Sequence, residues 1–267
     1  MTKKMKVNIL GVRGSLPVNG DAFVKYGGAT SCILTSISGE TIILDAGTGM
    51  LACPEPDANK KISILISHSH IDHILGFPMC RFFYDGSYEV DVYLRTRNGL
   101  DAKSQIAALM SAPLWPAGID SVEAKLAFHD IPDCFFISGV KVETMESNHP
   151  GGSTIFKLSA ADKSLVYATD FEHDEGCSED LAAFARDCSV LIYDSQFLSS
   201  EFGEKKGWGH STYEEGIKMG ARCGAALTVF YHHDPLRADS QLDELIKQFS
   251  GAKTPCIIGR CGEEIVV

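Results

Sequence analysis

The sequence predicts a single α/β domain built as a four-layer α/β/β/α sandwich. Short apolar runs bounded by turn residues fill the first third of the 267-residue chain, and similar runs return in the second half. Each of these β-rich halves ends in segments with helical periodicity. A doubly wound parallel sheet would instead alternate strand and helix from the start. No internal repeat, linker or low-complexity tract is visible, so residues 1–267 are predicted to form one domain.

The first half is predicted to contain five strands followed by helical segments. The strand predictions rest on apolar runs that are bounded by Gly, Asn, Asp or Pro. These runs are Lys6–Leu10, Cys32–Ile37, Thr41–Leu44, Ile62–Ser67 and Glu89–Leu94. Helical periodicity follows at Leu100–Ser111 and, more weakly, at Val122–Ala127.

The second half repeats the strand-rich pattern and then alternates strands with helices. Strands are predicted at Val140–Thr144, Ser153–Leu158, Ser164–Ala168, Val190–Tyr193 and Leu227–Tyr231. Helices are predicted at Ser178–Asp187, Thr212–Gly224 and Ser240–Phe249. The helix at Thr212 has a clear start signal, because a Thr cap is followed by glutamates.

The composition indicates the cellular compartment and argues against nucleic-acid and membrane partners. Lys and Arg number 24 against 35 Asp and Glu, a net charge of −11 that argues against broad capture of nucleic acid or anionic lipid. No apolar run approaches the roughly 20 residues that span a bilayer, and the basic start precedes too short an apolar segment for a signal peptide. Nine Cys without a C-x-x-C pair indicate reduced thiols. We therefore expect a cytoplasmic protein with no membrane partner.

The most specific string is Ser67-His68-Ser69-His70-Ile71-Asp72-His73, directly after a predicted strand. Imidazole nitrogen and carboxylate oxygen are ligands that zinc prefers. Residues two apart in an extended segment project to the same side, so His68 and His70 are predicted to hold one ion. Asp72 and His73 are then predicted to point toward the position of a second ion. The alternative is a solvated histidine-rich loop, which such a dense group of ligands disfavours.

The pattern His68-x-His70-x-Asp72-His73 resembles the signature of the metallo-β-lactamase-fold hydrolases. The motif order of this family also requires an Asp at an upstream strand end, a lone His, a lone Asp or Cys, and a late His. The chain has these residue types in the same order, at Asp45, His149, Asp170 and His232. The resemblance covers nearly the whole chain, and it implies a hydrolytic site with two metal ions.

The resemblance also implies the role of each residue toward two divalent metal ions, expected to be zinc, with manganese or iron as alternatives. The ligands of the first metal are expected to be His68, His70 and His149. Those of the second are expected to be Asp72, His73 and His232, with Asp170 as the bridging carboxylate. An Asp at position 170 in place of Cys departs from the antibiotic-hydrolysing branch. Asp45 and His233 are expected to support a ligand imidazole from behind, although His233 is also an alternative ligand to its neighbour His232.

A further set of residues resembles the phosphodiesterase branch of this family. Asp194-Ser195-Gln196-Phe197 lies at a predicted strand end, and Gly207-Trp208-Gly209-His210-Ser211-Thr212 opens a predicted helix. The branch includes RNase Z, the phosphoribosyl cyclic phosphodiesterase and cyclic-nucleotide phosphodiesterases. The resemblance implies that His210, held by Asp194, faces the scissile phosphate and does not bind metal. The alternative is that His210 only caps the helix that begins near Ser211.

These residues together imply a metal-dependent phosphodiesterase that hydrolyses a small phosphodiester, such as a cyclic nucleotide or a related cyclic phosphate. Two metal ions would share a hydroxide that attacks phosphorus. His210 would stabilise the phosphoryl oxygens or protonate the leaving oxygen, and Asp72 would be both a ligand and a proton acceptor. The resemblance also implies a homodimer, and the net charge argues against a stable nucleic-acid complex.

Three other functions remain open. An RNase Z-like endoribonuclease would use the same metals, but no long Gly/Pro-rich insertion is visible that would grip tRNA. A lactonase, thioesterase or β-lactamase would share the metal cluster but would not need Asp194 or His210. A metal-binding module without enzymatic activity is disfavoured, because every ligand position of the family is filled.

Two features are compatible with either a structural or a substrate-binding role. Arg13 lies in the glycine-rich loop Gly11–Pro17 and is either a phosphate contact or an exposed side chain beside a turn. The segment Gly76–Ile131 carries several large side chains that either form core or stack on a base. These side chains are Phe77, Phe82, Phe83, Tyr84, Leu114 and Trp115.

Overall fold

Fourteen strands form two seven-stranded sheets in the computed structural model, which describes residues 4–55, 60–249 and 251–267. The first sheet has the order β14-β1-β2-β3-β4-β5-β6. Its strands are Lys6–Gly11 (β1), Cys32–Ile37 (β2), Glu40–Leu44 (β3), Lys61–Leu65 (β4), Glu89–Tyr93 (β5), Lys125–His129 (β6) and Glu263–Val266 (β14).

The second sheet has the order β13-β12-β11-β10-β9-β8-β7. Its strands are Cys134–Ile137 (β7), Val140–Ser147 (β8), Ser153–Ala160 (β9), Lys163–Ala168 (β10), Val190–Asp194 (β11), Thr228–Tyr231 (β12) and Cys256–Ile258 (β13). The α-helices of the described residues are Ile71–Ile74 (α1), Ala102–Leu109 (α2), Glu175–Phe184 (α3), Ser199–Lys205 (α4), Tyr213–Cys223 (α5) and Asp239–Phe249 (α6).

Each sheet changes from antiparallel to parallel pairing along its width. In the first sheet β14, β1, β2 and β3 pair antiparallel, and β3 to β6 pair parallel. In the second sheet β7 to β10 pair antiparallel, and β10 to β13 pair parallel. The carboxyl ends of neighbouring parallel strands therefore meet at one edge of each sheet, which is where ligands bind in open α/β sheets.

Alternation of side chains along the strands produces the layers. Ile42 and Leu44 of β3 pack in the core between the two sheets, whereas Ile43 packs on the outer face with residues of α2. In the second sheet Ile192 faces the same central core, and Leu191 packs outward with residues of α3 and α5. Helices therefore cover both outer faces, and the predicted four-layer α/β/β/α sandwich is confirmed.

Most of the predicted strands and helices are present, and the caps explain where α5 begins and ends. The Thr212 side chain accepts a hydrogen bond from the Glu215 N–H at 3.2 Å, and Gly224 ends the helix with φ of 72°. The predicted helix at Val122–Ala127 is wrong, because β6 occupies this region and pairs in parallel with β5. Strands β6, β7, β13 and β14 and helices α1 and α4 were not predicted from the sequence. None of the helices within the described residues has the length and apolar character needed to cross a membrane.

Candidate metal centre and active site

The predicted ligand string lies at the carboxyl end of β4, where the chain turns into the short helix α1. His68 and His70 come before this helix, and Asp72 and His73 lie in its single turn. The His73 N–H donates to the His70 carbonyl at 3.0 Å, which folds the two halves of the string back on each other. One short segment therefore presents four potential ligand side chains.

The other side chains come from separate strand ends. His149 follows β8, Asp170 follows β10, Asp194 ends β11 and His232 follows β12. The parallel register of β10, β11 and β12 places the ends of these three strands side by side. The seven residues predicted as metal ligands are thereby brought together in two groups that share one edge of the fold.

The first group consists of His68, His70, His149 and Asp170, whose ligand atoms all lie within 4.8 Å of one another. His149 Nε2 lies 3.2 Å from His70 Nδ1, and His68 Nε2 lies 3.7 Å from Asp170 Oδ1. Burial lowers the pKa of His68 well below its usual value, and the neighbouring His73 adds to this effect. Burial also lowers the pKa of His149. Neutral imidazoles are the form that binds a metal ion.

The second group consists of Asp72, His73 and His232. Asp72 Oδ2 lies 3.1 Å from His232 Nε2 and 3.3 Å from His73 Nε2. Asp170 lies between the groups, because its Oδ2 is 3.1 Å from His73 Nε2 while its Oδ1 faces His68 and His149. Asp170 therefore presents one carboxylate oxygen to each group.

The donor set fits two divalent cations. His68 Nε2 and His73 Nε2 are buried and lack hydrogen-bond partners, which is costly unless another ligand uses them. Burial alone would lower the pKa of His232, but Asp170 and Asp72 outweigh it and raise that pKa to about 9. The carboxylates thus create a strongly negative field that a bound cation would neutralise. Nitrogen and oxygen donors of these types suit zinc and also manganese or iron.

Asp45 fixes the orientation of His73. The His73 Nδ1–H donates to Asp45 Oδ2 at 2.7 Å, so the other ring nitrogen, Nε2, points into the cluster. Asp45 itself is held by the Ser67 N–H and by the Tyr167 hydroxyl, each at 2.7 Å. The family resemblance implies the role of Asp45 but not that of Tyr167, because a tyrosine in an apolar strand has the pattern of a core residue.

Three residues of this edge have left-handed backbone conformations that are uncommon outside glycine. The φ angles of Asp45, Asp170 and His232 are 60°, 52° and 61°. Asp and His are among the residues that adopt this conformation most often. Each of these residues lies one or two positions after the end of a strand. The backbone therefore turns away from the strand direction at the edge of the sheet where the cluster lies.

His210 lies against the cluster and is held by Asp194, as the sequence predicts. His210 Nδ1 donates to Asp194 Oδ2 at 2.9 Å, and the His210 ring stacks on His232 with ring centroids 4.9 Å apart. Asp194 also accepts hydrogen bonds from the backbone N–H groups of Asp170 and Ser211, at 2.9 and 3.0 Å. The alternative role of His210 as a helix cap is wrong, because Thr212 caps α5.

A family model for the beta-lactamase superfamily domain matches residues 40–233, well over half of the chain. The chain belongs to the metallo-β-lactamase-fold hydrolases. Its sheets and helices have the architecture of that family, and its candidate metal ligands, from His68 to His232, all lie within the matched residues. The protein is accordingly a metal-dependent hydrolase.

This hydrolase is similar to several known proteins at low sequence identity. Ribonuclease Z of Bacillus subtilis (strain 168) is 23% identical, and the alignment covers 63% of this chain and 69% of that protein. The metallo-β-lactamase-fold protein YhfI of Bacillus subtilis is 15% identical with a TM-score of 0.75, and all of both chains is covered. A diphosphatase from the PhnP family is 17% identical with a TM-score of 0.70, covering 99% of this chain and 97% of that one. The structural matches support the fold.

Glu172 is a further part of the site of this hydrolase and was missed from the sequence. Its carboxylate accepts hydrogen bonds from the N–H groups of Gly207 and Gly209, at 2.7 and 2.8 Å for Oε2. The Gly209 carbonyl in turn accepts from His149 Nδ1 at 3.0 Å. Glu172 therefore positions the turn that carries His210 and also orients His149. A glutamate two residues after Asp170 gives no sequence signal for this role.

The glycine-rich loop Gly11–Pro17 does approach the cluster. The Ser15 N–H donates to Asp72 Oδ2 at 2.7 Å. A Cβ atom on Gly14 would lie 2.5 Å from the His232 ring, so only glycine lets the loop backbone pack there. The loop therefore positions two side chains of the second group.

Arg13 and His233 have buried partners outside the ligand groups. The Arg13 guanidinium is fully buried and donates to the carbonyls of Gly27, Asp234 and Arg237, so the expectation of an exposed side chain is wrong. His233 donates through Nε2 to the Gly259 carbonyl at 2.9 Å, and its Nδ1 accepts from the Tyr213 hydroxyl at 3.0 Å. Both ring nitrogens are used, so His233 is not available as the alternative ligand to His232.

The aromatic side chains of Gly76–Ile131 divide between core and surface. Phe77, Phe82 and Phe83 are buried in the core beside the first sheet, which agrees with the core interpretation and removes them as stacking groups. Trp115 packs partly buried against the same core. Tyr84 is half exposed, and its hydroxyl donates to the Pro78 carbonyl at 2.6 Å. Leu114 is exposed.

Proposed function

We propose that this hydrolase is a phosphodiesterase that cleaves a small phosphodiester, and that the substrate is a cyclic nucleotide or a related cyclic phosphate. The observation that carries the proposal is the placement of His210. Its ring stacks on His232 and is fixed by Asp194, and it lies outside the first and second ligand groups, although its ligand atom is within 4.8 Å of those of Asp170 and His232. A histidine that is held beside a cluster of candidate metal ligands, and whose second ring nitrogen is not bonded to the protein, is suited to contact the group undergoing reaction.

The metal ions, His210 and Asp72 would have different roles in the hydrolysis of the phosphodiester. Two divalent metal ions, which we propose to be zinc, would supply positive charge for the phosphoryl oxygens and lower the pKa of a reacting water. Because His210 uses Nδ1–H to donate to Asp194, its Nε2 is free for the substrate. As an imidazolium, His210 would donate its Nε2 proton to a phosphoryl oxygen or to the leaving oxygen and become the neutral ring. Asp72, held by the Ser15 N–H, would accept a proton from the nucleophile.

The charge of the chain supports a small substrate over a large polyanion. With a net charge of −11, the surface repels a long nucleic acid, whereas a local metal site still attracts a single phosphodiester. Similarity to ribonuclease Z makes an endoribonuclease the second candidate. We also propose a cytoplasmic homodimer without a stable nucleic-acid complex, on the basis of the reduced cysteines, the charge and the family resemblance.

The decisive test is hydrolysis of a panel of 3′,5′- and 2′,3′-cyclic nucleotides by the zinc-loaded protein. We expect metal-dependent ring opening that is absent from Asp170→Ala and strongly reduced in His210→Ala. Cleavage of a precursor tRNA without any ring opening would favour the endoribonuclease. Hydrolysis of lactones or thioesters that His210→Ala leaves unchanged would contradict the phosphodiesterase proposal.

A further inference from the structure

Trp208 is an exposed aromatic residue in a rigidly held turn. Its side chain is 57% exposed, although large aromatic side chains are usually well buried. The flanking residues Gly207 and Gly209 have φ of 87° and 88°, and Glu172 accepts hydrogen bonds from both of their N–H groups. The fold therefore fixes the backbone on each side of an indole ring that it leaves in contact with solvent.

The surroundings of this ring connect it to the site. Lys205 Nζ lies 4.1 Å from the Trp208 ring centroid, a cation–π contact. The Phe197 ring lies edge-on to Trp208 at 6.5 Å and edge-on to His210 at 5.9 Å. Trp208 is thus separated from His210 by a single aromatic ring. Trp208 and His210 are two residues apart in the chain and contact the same phenyl ring, so a ligand whose phosphoryl group lies at His210 would extend from there toward the indole.

A nucleobase is the group that such a ring recognises. Every base has a π-face, and stacking on an exposed aromatic side chain is the common way in which proteins bind unpaired bases. The phenyl rings of Phe77, Phe82 and Phe83 do not serve this purpose, because they are buried in the core. We propose that Trp208, positioned by Glu172 and Lys205, is the stacking platform for the nucleobase of the substrate. This inference rests on the proposed function in that it places the phosphoryl group at His210.

Fluorescence tests the platform without requiring turnover. The chain contains two tryptophans, so Trp115→Phe leaves Trp208 as the only one. This variant, loaded with zinc, is titrated with adenosine monophosphate and, as a matched ligand without a base, with ribose 5-phosphate. We expect saturable quenching of the Trp208 emission by adenosine monophosphate and no quenching by ribose 5-phosphate.

Calorimetry measures the affinities of the same two ligands for the unmodified chain and for two matched Trp208 variants. We expect the otherwise unmodified chain to bind adenosine monophosphate more tightly than ribose 5-phosphate, by roughly five- to a hundredfold. Trp208→Phe keeps a π-face and should retain most of this preference. Trp208→Leu is apolar but has no ring, so the two dissociation constants should become nearly equal.

Several results would overturn the inference. An unchanged preference in Trp208→Leu would show that the base binds elsewhere, and absence of any binding or quenching by adenosine monophosphate would show that no platform exists. A Trp208 emission that changes with protein concentration alone would show that a second copy of the chain covers the ring. The base preference is measured apart from catalysis. If the protein opens cyclic nucleotides but does not prefer adenosine monophosphate to ribose 5-phosphate, only this inference is contradicted. If it shows that preference but opens no cyclic nucleotide, only the proposed function is contradicted.

Discussion

The candidate site joins two regions of the molecule that are built in different ways. The segment from Ser67 to His73 supplies four ligand side chains from one turn after β4. On the opposite side, His149, Asp170 and His232 come from three different strand ends of the second sheet. In the first region the spacing along the chain sets the geometry. In the second region the geometry depends on strand register and on residues that hold the loops.

This difference teaches where the site is vulnerable. A substitution in the first region removes one donor from a compact turn. In the second region single side chains hold several parts at once, since Asp194 contacts the backbone of Asp170, the ring of His210 and the backbone of Ser211. Substitutions there should change the position of residues that they do not directly contact.

The largest effect is expected for Asp170→Asn, which affects the carboxylate that faces both regions. Loss of its charge should weaken cation binding at both ligand groups and reduce turnover by about 10³-fold or more. Metal content per chain, measured by plasma emission spectrometry beside turnover, tests this. Asp91→Asn is a matched control, because Asp91 also accepts from a histidine, His129, at 2.7 Å but lies outside the site. Full turnover by Asp170→Asn would contradict the two-metal arrangement.

A smaller effect is expected for His210→Ala, which alters the second region without removing a ligand of either group. We expect kcat on a phosphodiester to fall by about 10²–10³-fold, while the metal content stays at the level of the unmodified chain. His129→Ala provides the control for loss of a histidine elsewhere. A proportional loss of metal and activity would instead make His210 a ligand, together with Asp170 and His232, whose ligand atoms lie within 4.8 Å of its own.

Glu172→Ala sharpens the comparison, because Glu172 acts only through the loops of the second region. Without its carboxylate the Gly207 and Gly209 N–H groups lose their acceptor, and we expect kcat to fall by roughly 10–100-fold. Glu172→Gln keeps a carbonyl oxygen at this position and should restore part of the activity. Equal activity in all three proteins would show that the turn keeps its position without Glu172.

The smallest effect on catalysis is expected at His233, beside His232. Burial lowers the pKa of His233 to about 3, so this imidazole is neutral, and its two hydrogen bonds lie outside the ligand groups. His233→Leu should lower the free energy of unfolding by about 1–3 kcal/mol and leave turnover per folded molecule close to its original value. Denaturant titration and kinetics on the folded fraction measure the two quantities. For His232→Asn we expect turnover to fall strongly while the free energy of unfolding changes little.

The sequence predicts the first region better than the second for the same reason. The string from His68 to His73 carries its geometry within six residues of chain, so spacing alone indicates a metal site. The roles of Asp170, His210 and Asp194 came from a family resemblance, because no local pattern shows that three strand ends meet. Glu172 and Tyr167 were missed, since their function depends on partners 35 and 122 residues away in the chain. The weak helix at Val122–Ala127 was wrong because pairing with β5 overrides a short local periodicity.

The left-handed backbone at Asp170 and His232 sets heat resistance against activity at the same two positions. Glycine adopts this conformation without the cost of about 1–2 kcal/mol that other residues bear, so replacing either residue with glycine would relieve backbone strain while removing a side chain that the site uses. Asp45 shares the conformation but differs in this respect, because its removal would leave the buried Ser67 N–H and Tyr167 hydroxyl without their acceptor. A directed-evolution campaign that selects only for survival at high temperature would therefore tend to enrich inactive variants with glycine at positions 170 and 232. Libraries intended to yield a robust catalyst should keep these two codons fixed.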